Sequence, residues 1–502
     1  MELLTSTYQN KISGTLDCFD RIVLSGTIPG ICYSQGMTSY LYQQKIRIFD
    51  YPQFAHPLKE RIRKNAEKIA ADNGLEIEFI RKSYIRKESL VAEKLKQRGH
   101  HNGLVHIISA MEGCSSYKPW HNKKTGKTFL KGDTSKCLHY YFYFMDEYLG
   151  LGYVRVPTWC PFRLQVYFNG HGVLKNKLDQ EGIGYTMIDN AFDSIEDWDR
   201  AQQLAGDIQV DKIHARLDYY AHMFCPVVHE QFEQVYHWSI MQAEMATDIV
   251  FKKQQDLQEI YSELVQTAIH IVKPDNIATF LGKKLDPRFI GEVGNNYNIR
   301  IEGSRIKHSM GSNSIKMYDK FSKILRIETT TNDVSFFKHY RKVEHKDGTS
   351  SKKLAGMKKY IYSLGALQGM LKASNKRYLT FISGIESKSA GQKRLKKVAE
   401  PKKENNRNYK GFNFFNKDDL DILFIILRGE YNISGFQNKD LRHHLPEMNT
   451  GRVSRLLKRL LVHGLIKKVR NTYKYYLTML GKEVLLTAEK LKQAIIIPSL
   501  NY

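Results

Sequence analysis

The sequence predicts an α+β protein: a body with a mixed or antiparallel sheet and flanking helices, followed by a smaller, mostly helical C-terminal domain. Three observations lead there. Hydrophobic residues make up 42% of the 502, enough for several sizeable cores. Runs of period-two alternation sit among short turns and hairpins, a pattern of α+β folds more than of a doubly wound parallel sheet. A polar, basic stretch at 386–411, "ESKSAGQKRLKKVAEPKKENNRNYKG", has few large apolar residues and reads as a flexible linker. The expected domains are therefore a body over 1–385, with room for two subdomains parting near 225–255, a linker over 386–411 and a last domain over 412–502.

The elements follow in order. Residues 14–28, "GTLDCFDRIVLSGTI", read as a strand between turns, and 57–75 and 88–98 as helices. "GLVHIISAME" (103–112) is a strand. "KCLHYYFYFMDEYLGLGYVRVPTW" (136–159) is a hairpin turning near Glu147–Gly152. "FRLQVYFNG" is another strand, with a helix starting near His171. Residues 233–251 fit strand or helix, and 256–272 an amphipathic helix. "SRIKHSM", "SIKMYDK" and "ILRIETTT" form a meander over 304–331.

Charge narrows the partner. Lys and Arg number 77 against 52 Asp and Glu, a net +25, which suits nucleic acid or an anionic membrane surface. No apolar run approaches the ~18 residues of a membrane-spanning helix. The opening "MELLTSTYQNKISGTLDCFDR" lacks the basic and apolar segments of a secretion signal. The expectation is a cytoplasmic protein with a nucleic-acid partner and no membrane. Six scattered cysteines without a CxxC argue for buried thiols in a reducing compartment rather than disulfides or structural zinc.

Within the meander, alternation gathers Arg305, Lys307, Lys316, Tyr318, Lys320, Arg326 and Glu328 on one face. Ile306, His308, Met310, Ile315 and Met317 take the other. Phosphodiester chemistry uses the first set: a hydroxyl to attack, cations to offset charge, a carboxylate to take a proton or hold a metal. The plain alternative is a solvated face with cross-strand ion pairs. Asp20, Glu112 and Asp146, at strand ends, are candidates to join Glu328 around Mg²⁺ or Mn²⁺, and Glu244 and Asp248 lie four apart; as single residues they read as caps, turns or ion-pair partners. No organic cofactor is expected. In "KCLHYYFYFMDE" one aromatic row, Tyr141 and Tyr143 or Tyr140, Phe142 and Phe144, would stack on unpaired bases, with Arg155 and Arg163 near the backbone; a strand buried on both faces is the alternative.

In the tail, "DDLDILFIIL", "GFQNKDLRHHL" and "NTGRVSRLLKRLLVHGLI" read as three helices, the last capped by Asn449 or Thr450. "KKVRNTYKYYLT" is a basic hairpin and "MLGKEVLLTAEKL" a closing helix. This order, with "HGLI" and "YYLTMLG", resembles the winged helix-turn-helix of MarR-type regulators. The resemblance implies duplex DNA as partner, with Arg452, Arg455, Lys458 and Arg459 at the groove and Lys467, Lys468, Arg470 and Lys474 on phosphates.

Two further resemblances concern the body. "IKMYDKFSKILRIETT" is similar to the Y-[DE]-K…R-[IVF]-E pattern of rolling-circle replication initiators of plasmids and filamentous phage. It carries over Tyr318, Asp319, Lys320, Arg326 and Glu328. It implies a metal-dependent tyrosine nickase of a mobile element or plasmid, with single-stranded DNA or RNA at the body. Tyr340 in "FFKHYRK" is a second candidate nucleophile. The His-x-His pair of related nickases is missing: "VHIISAMEG" has one histidine and "GHHNG" two adjacent ones. Residues 10–390 also resemble a family of long uncharacterised bacterial proteins, through "FDRIVLSGT", "VPTWCPFRLQVYFNG", "ATDIVF" and "FLGKKL". The rival expectation is a non-catalytic DNA- or RNA-binding protein, a transcriptional regulator or the partner of a structured RNA.

Overall fold

The computed structural model describes residues 3–491 apart from 83, 99–101, 271, 286–292, 301–302, 384–394, 429–430, 432–434 and 471. Its strands are β1 (Ile12–Thr27), β2 (Ile77–Ile80), β3 (Gly103–Asn122), β4 (Lys127–Asp146), β5 (Gly150–Pro157), β6 (Leu164–Phe168), β7 (Tyr185–Ile188), β8 (Ala191–Ile195), β9 (His237–Phe251), β10 (Val293–Arg300), β11 (Gly303–Met310), β12 (Asn313–Lys320), β13 (Ile324–Thr331), β14 (Lys338–Glu344), β15 (Ser350–Gly356), β16 (Lys402–Glu404), β17 (Arg407–Tyr409), β18 (Ile466–Lys468) and β19 (Tyr475–Leu477). The protein is α+β, and its sheet is mostly antiparallel. No helix among the described residues is long and apolar enough to cross a membrane.

The chain forms two compact units. One, here the N-terminal unit, comprises Leu16–Met245 and Thr331–Met370. The other, the C-terminal unit, comprises Met1–Thr15, Ala246–Thr330 and Leu371–Tyr502. This division differs from a body over 1–385 and a tail set apart by a linker. The physical reason lies in a few apolar residues inside basic sequence. Val398 is fully buried and Leu395 half-buried against the core of the last domain, beside Phe412. Phe381, from the helix Leu364–Ile382, packs on the same core. From 395 onward the expected linker is thus folded, and 402–409 is the hairpin β16–β17. Residues 384–394 lie outside the described residues.

In the N-terminal unit the sheet runs β1-β6-β5-β4-β3-β2. Every neighbouring pair is antiparallel except β2 with β3. Strand β4 is covered on both sides. Phe142 stacks on Phe224, and Phe144 on Tyr220, 4.3 and 4.0 Å between centroids, both partners lying on the helix Val210–Phe224. On the other side Tyr141, Tyr143 and Tyr153 pack with Val91 and Leu95 of the helix Lys87–Arg98. All five aromatics of 140–144 are therefore buried, and neither row offers a stacking surface. Residues 233–251 resolve as strand β9 from His237.

In the C-terminal unit β10, β11, β12 and β13 are consecutive neighbours, and β9 follows β13. The β11–β12 register sets Arg305 opposite Tyr318 and Lys307 opposite Lys316, all on one face; Ile306 opposite Met317 and His308 opposite Ile315 share the other. The turn from β12 to β13 carries Phe321 and Ser322 at φ 55° and 56°, the left-handed pair that matches a tight two-residue hairpin. The last segment has helices Lys417–Ile426, Asn438–His444 and Thr450–Val462, the antiparallel pair β18–β19 and the helix Met479–Leu491.

Candidate active site

The β11–β13 face carries a tight polar constellation. Glu328, buried on β13, accepts from both β12 side chains that face it. Lys316 Nζ lies 2.5 Å from Oε1, and the Tyr318 hydroxyl donates to Oε2 at 2.8 Å. Thr330 Oγ1 is 3.4 Å from Oε1. Tyr318 is half-buried. Lys320 ends β12, its ammonium 5.4 Å over the Phe321 ring. Lys307, opposite Lys316, is half-buried.

Arg326 lies on the same strand face two residues from Glu328, but its charge is committed elsewhere. It is fully buried and bidentate to Asp248 of β9, Nε–Oδ1 and Nη2–Oδ2 both 2.6 Å. A guanidinium with zero exposure needs such a fork, so Arg326 is a structural ion-pair member rather than a cation open to substrate. The sequence places Asp248 four residues from Glu244 as a cap, turn or ion-pair partner, and the structure makes it the last of these. On the opposite face His308 is buried between Asn295 Oδ1 (2.7 Å) and the Tyr378 hydroxyl (3.1 Å); burial pushes its pKa down to about 4.

The other expected residues fall in different places. Tyr340 is exposed on β14 of the N-terminal unit. Glu112 is encircled: Lys87 Nζ at 2.7 Å, the Tyr141 hydroxyl at 2.7 and 2.9 Å, Arg155 Nε at 3.0 and Nη2 at 2.8 Å. Burial works to raise its pKa, but the hydrogen bonds from Lys87 and Tyr141 and the charges of Arg155 and Lys87 outweigh it and hold it at about 2. Its oxygens are taken, so it fits a metal poorly, and Arg155 is occupied with it. Asp146 caps the β4–β5 turn, accepting from the Tyr148 and Leu149 amides at 2.8 Å and from the Tyr220 hydroxyl at 2.7 Å. It too is a turn residue. Arg163 donates to the Cys32 carbonyl at 2.6 Å.

Asp20 differs. Its carboxylate lies within 4.8 Å of that of Glu244, and Asn190 donates to its Oδ1 at 2.8 Å. Two adjacent carboxylates are the hard oxygen donors that Mg²⁺ or Mn²⁺ takes; within the N-terminal unit these two fit such an ion where Glu112 and Asp146 do not.

In the last segment Asn449 caps the third helix, accepting from the Arg452 amide at 2.9 Å. Val453, Leu456, Leu457 and Leu460 turn inward, leaving Arg452 and Arg455 exposed. Lys467, Lys468, Arg470 and Lys474 are exposed on and around β18–β19. Lys458 pairs with Glu404 at 2.6 Å. Arg459 is turned away from solvent. It forks onto Asp419 (2.8 and 3.0 Å), donates to the Lys410 and Gly411 carbonyls, and lies 3.8 Å over the Phe412 ring. Arg459 therefore pins the segment around 410 to the third helix rather than facing a groove.

No protein-family model, no curated protein and no solved structure matches this chain. The functional reading therefore rests on its own residues. A tyrosine hydroxyl already hydrogen-bonded to a carboxylate, with a lysine on the same carboxylate, is an arrangement for moving a phenolic proton.

Proposed function

We propose that this protein processes nucleic acid in the manner of a mobile-element or plasmid strand nickase. The C-terminal unit cuts one DNA strand through Tyr318, and residues 412–502 act as a MarR-like winged helix that holds duplex DNA. The observation that carries the reading is the 2.8 Å hydrogen bond from the Tyr318 hydroxyl to Glu328. Glu328 accepts the phenolic proton as Tyr318 Oη attacks phosphorus. A phosphotyrosyl bond forms, one P–O bond of the strand breaks, and the departing oxygen takes a proton from water and leaves as a free hydroxyl. Lys316 and Lys307 offset the charge that grows on the phosphoryl oxygens. Within the N-terminal unit, Asp20 and Glu244 would hold a divalent ion, the chemistry of which is charge compensation toward phosphate.

A second reading has its own support. Glu328 is buried with both oxygens engaged, which also describes a packing ion pair in a non-catalytic DNA- or RNA-binding protein. One experiment separates the two. The full chain is incubated with end-labelled single-stranded DNA or supercoiled plasmid and Mg²⁺ or Mn²⁺, then run on a denaturing gel. The nickase reading expects a covalent protein–DNA adduct that Tyr318→Phe abolishes while binding persists. Loss in Tyr340→Phe instead would move the nucleophile to β14. No adduct and no nick with either metal leaves the binding protein. In the same full chain, Arg452→Ala with Arg455→Ala is expected to weaken duplex binding and to flatten its log–log salt dependence by about 2, roughly 0.9 for each phosphate that is no longer neutralised.

A further inference from the structure

The β3–β4 hairpin reaches well past the rest of its sheet's strands in length, each strand having 20 residues. Between Lys118 and Lys131 it carries five lysines and no carboxylate. Its inner side is anchored. Leu130 is buried, its amide donates to Thr38 Oγ1 at 2.9 Å, and the Tyr42 hydroxyl donates to the Thr128 carbonyl at 2.6 Å, both partners on the helix Ser34–Gln43. The Tyr117 hydroxyl donates to the Ile31 carbonyl at 2.7 Å. The arm is therefore held in place by its inner residues.

The outer side is of another kind. The register sets Lys118 opposite Lys131, Trp120 opposite Phe129 and Asn122 opposite Lys127, so these six share one face. Trp120 is 45% exposed, whereas Trp238 is fully buried. Lys131 Nζ sits 5.0 Å over the Trp120 ring. Lys118 is bridged to Asp133 at 3.2 Å, while Lys123 and Lys124 crown the turn and are exposed. Toward the sheet the same face continues through Cys114 opposite Ser135 to Glu112 opposite Cys137. From Glu112 to Asn122 it measures about 33 Å at 3.3 Å per residue.

We infer that this outer hairpin face binds single-stranded polynucleotide, with an unpaired base stacked on Trp120 and the backbone tracked by Lys118, Lys127 and Lys131. An exposed indole beneath a lysine, in a row of cations, is what a sequence-tolerant single-strand binder presents. A duplex keeps its base faces stacked internally and gives the indole nothing to cover. One indole and a half-buried Phe129 are little apolar area for a membrane, and five lysines, of which Lys118 is bridged to Asp133, call for repeated negative charge. The surface lies wholly in the N-terminal unit and stands whether or not Tyr318 is a nucleophile.

The test is fluorescence anisotropy of the full chain with dye-labelled 20-mers of dT, of U and of abasic deoxyribose phosphate, plus a DNA duplex. Trp120→Ala should bind dT or U about 10- to 100-fold more weakly, should leave abasic binding unchanged, and Trp120→Phe should restore part of the loss. The dT and U arms report whether DNA or RNA is preferred. Lys127→Ala with Lys131→Ala should weaken all three single strands, with a salt slope lower by about 1.4, at roughly 0.7 per phosphate. Unchanged dT and U affinity in Trp120→Ala overturns the inference, as does an equal loss on the abasic strand. Binding to phosphatidylserine vesicles that depends on Trp120, with oligonucleotide binding untouched, also overturns it. Far-UV circular dichroism confirms that each variant is folded. Duplex affinity, scored on Arg452 and Arg455, reports separately on the winged-helix reading.

Discussion

Two glutamates in this protein each meet a lysine and a tyrosine, yet their surroundings differ. Glu112 has Lys87, Tyr141 and also Arg155. Glu328 has Lys316 and Tyr318, while the arginine two residues away belongs to Asp248. At Glu112 two cations converge on one carboxylate, which is held as a permanent anion and makes a poor proton acceptor. At Glu328 the carboxylate takes Lys316 and Tyr318, with Thr330 Oγ1 3.4 Å from Oε1. The difference teaches that a shared residue set does not make a shared site. What matters is whether the second cation is spent on the carboxylate or neutralised beside it.

The comparison breaks most visibly at Asp248. Asp248→Asn leaves Arg326 buried without its counter-charge and should cost about 3–5 kcal/mol, read from urea unfolding of the C-terminal unit. Joint replacement, Asp248→Leu with Arg326→Met, should recover most of that loss. A loss under about 1 kcal/mol for Asp248→Asn would mean that water reaches Arg326 and that its charge is not committed.

Glu112→Gln comes next. The folded pKa lies below the ordinary value of 4.5. The carboxylate's contribution is therefore complete above about pH 4.5 and is lost as pH falls toward 2. At neutral pH the variant should be less stable by about 1–2 kcal/mol, the loss of its charge-assisted hydrogen bonds after solvent screening at a part-exposed site. That gap should narrow in urea titrations as pH is lowered from 5 to 3. A gap that stays constant with pH would show that the loss is packing and not charge.

The smallest stability effect is the most discriminating. Tyr141→Phe and Tyr318→Phe each delete one hydrogen bond to a carboxylate, and each should cost about 1–2 kcal/mol or less. Only Tyr318→Phe should erase the covalent adduct. If both variants keep full strand scission, the resemblance between the two constellations is structural at both ends.

Legibility varied by residue for physical reasons. The β11–β12 side-chain faces were readable because alternation is a property of the extended backbone, and Arg305, Lys307, Lys316 and Tyr318 stand together as period two requires. The helix start was readable to Asn449 or Thr450 because a cap satisfies amides within three residues, and Asn449 holds the position. The aromatics of 140–144 were undecided, since alternation sorts faces without saying whether helices cover both. Arg459 has the same residue type and helix as Arg455, but it lies where Asp419 and Phe412 come close.

By itself, the sequence determined the meander strands, the helices of the last segment, the basic balance of +25, and the grouping of lysine, tyrosine and glutamate on one meander face. These follow from local backbone geometry and from composition, which any short stretch carries within itself. Only the tertiary structure decided that Arg326 answers Asp248, 78 residues away, that Lys87 and Arg155 close around Glu112, that Val398 folds the expected linker onto a core, and that Trp120 stays in the open. Each depends on which distant segment arrives at a given face, and that is set by burial and register summed over the whole chain rather than by any one segment's pattern.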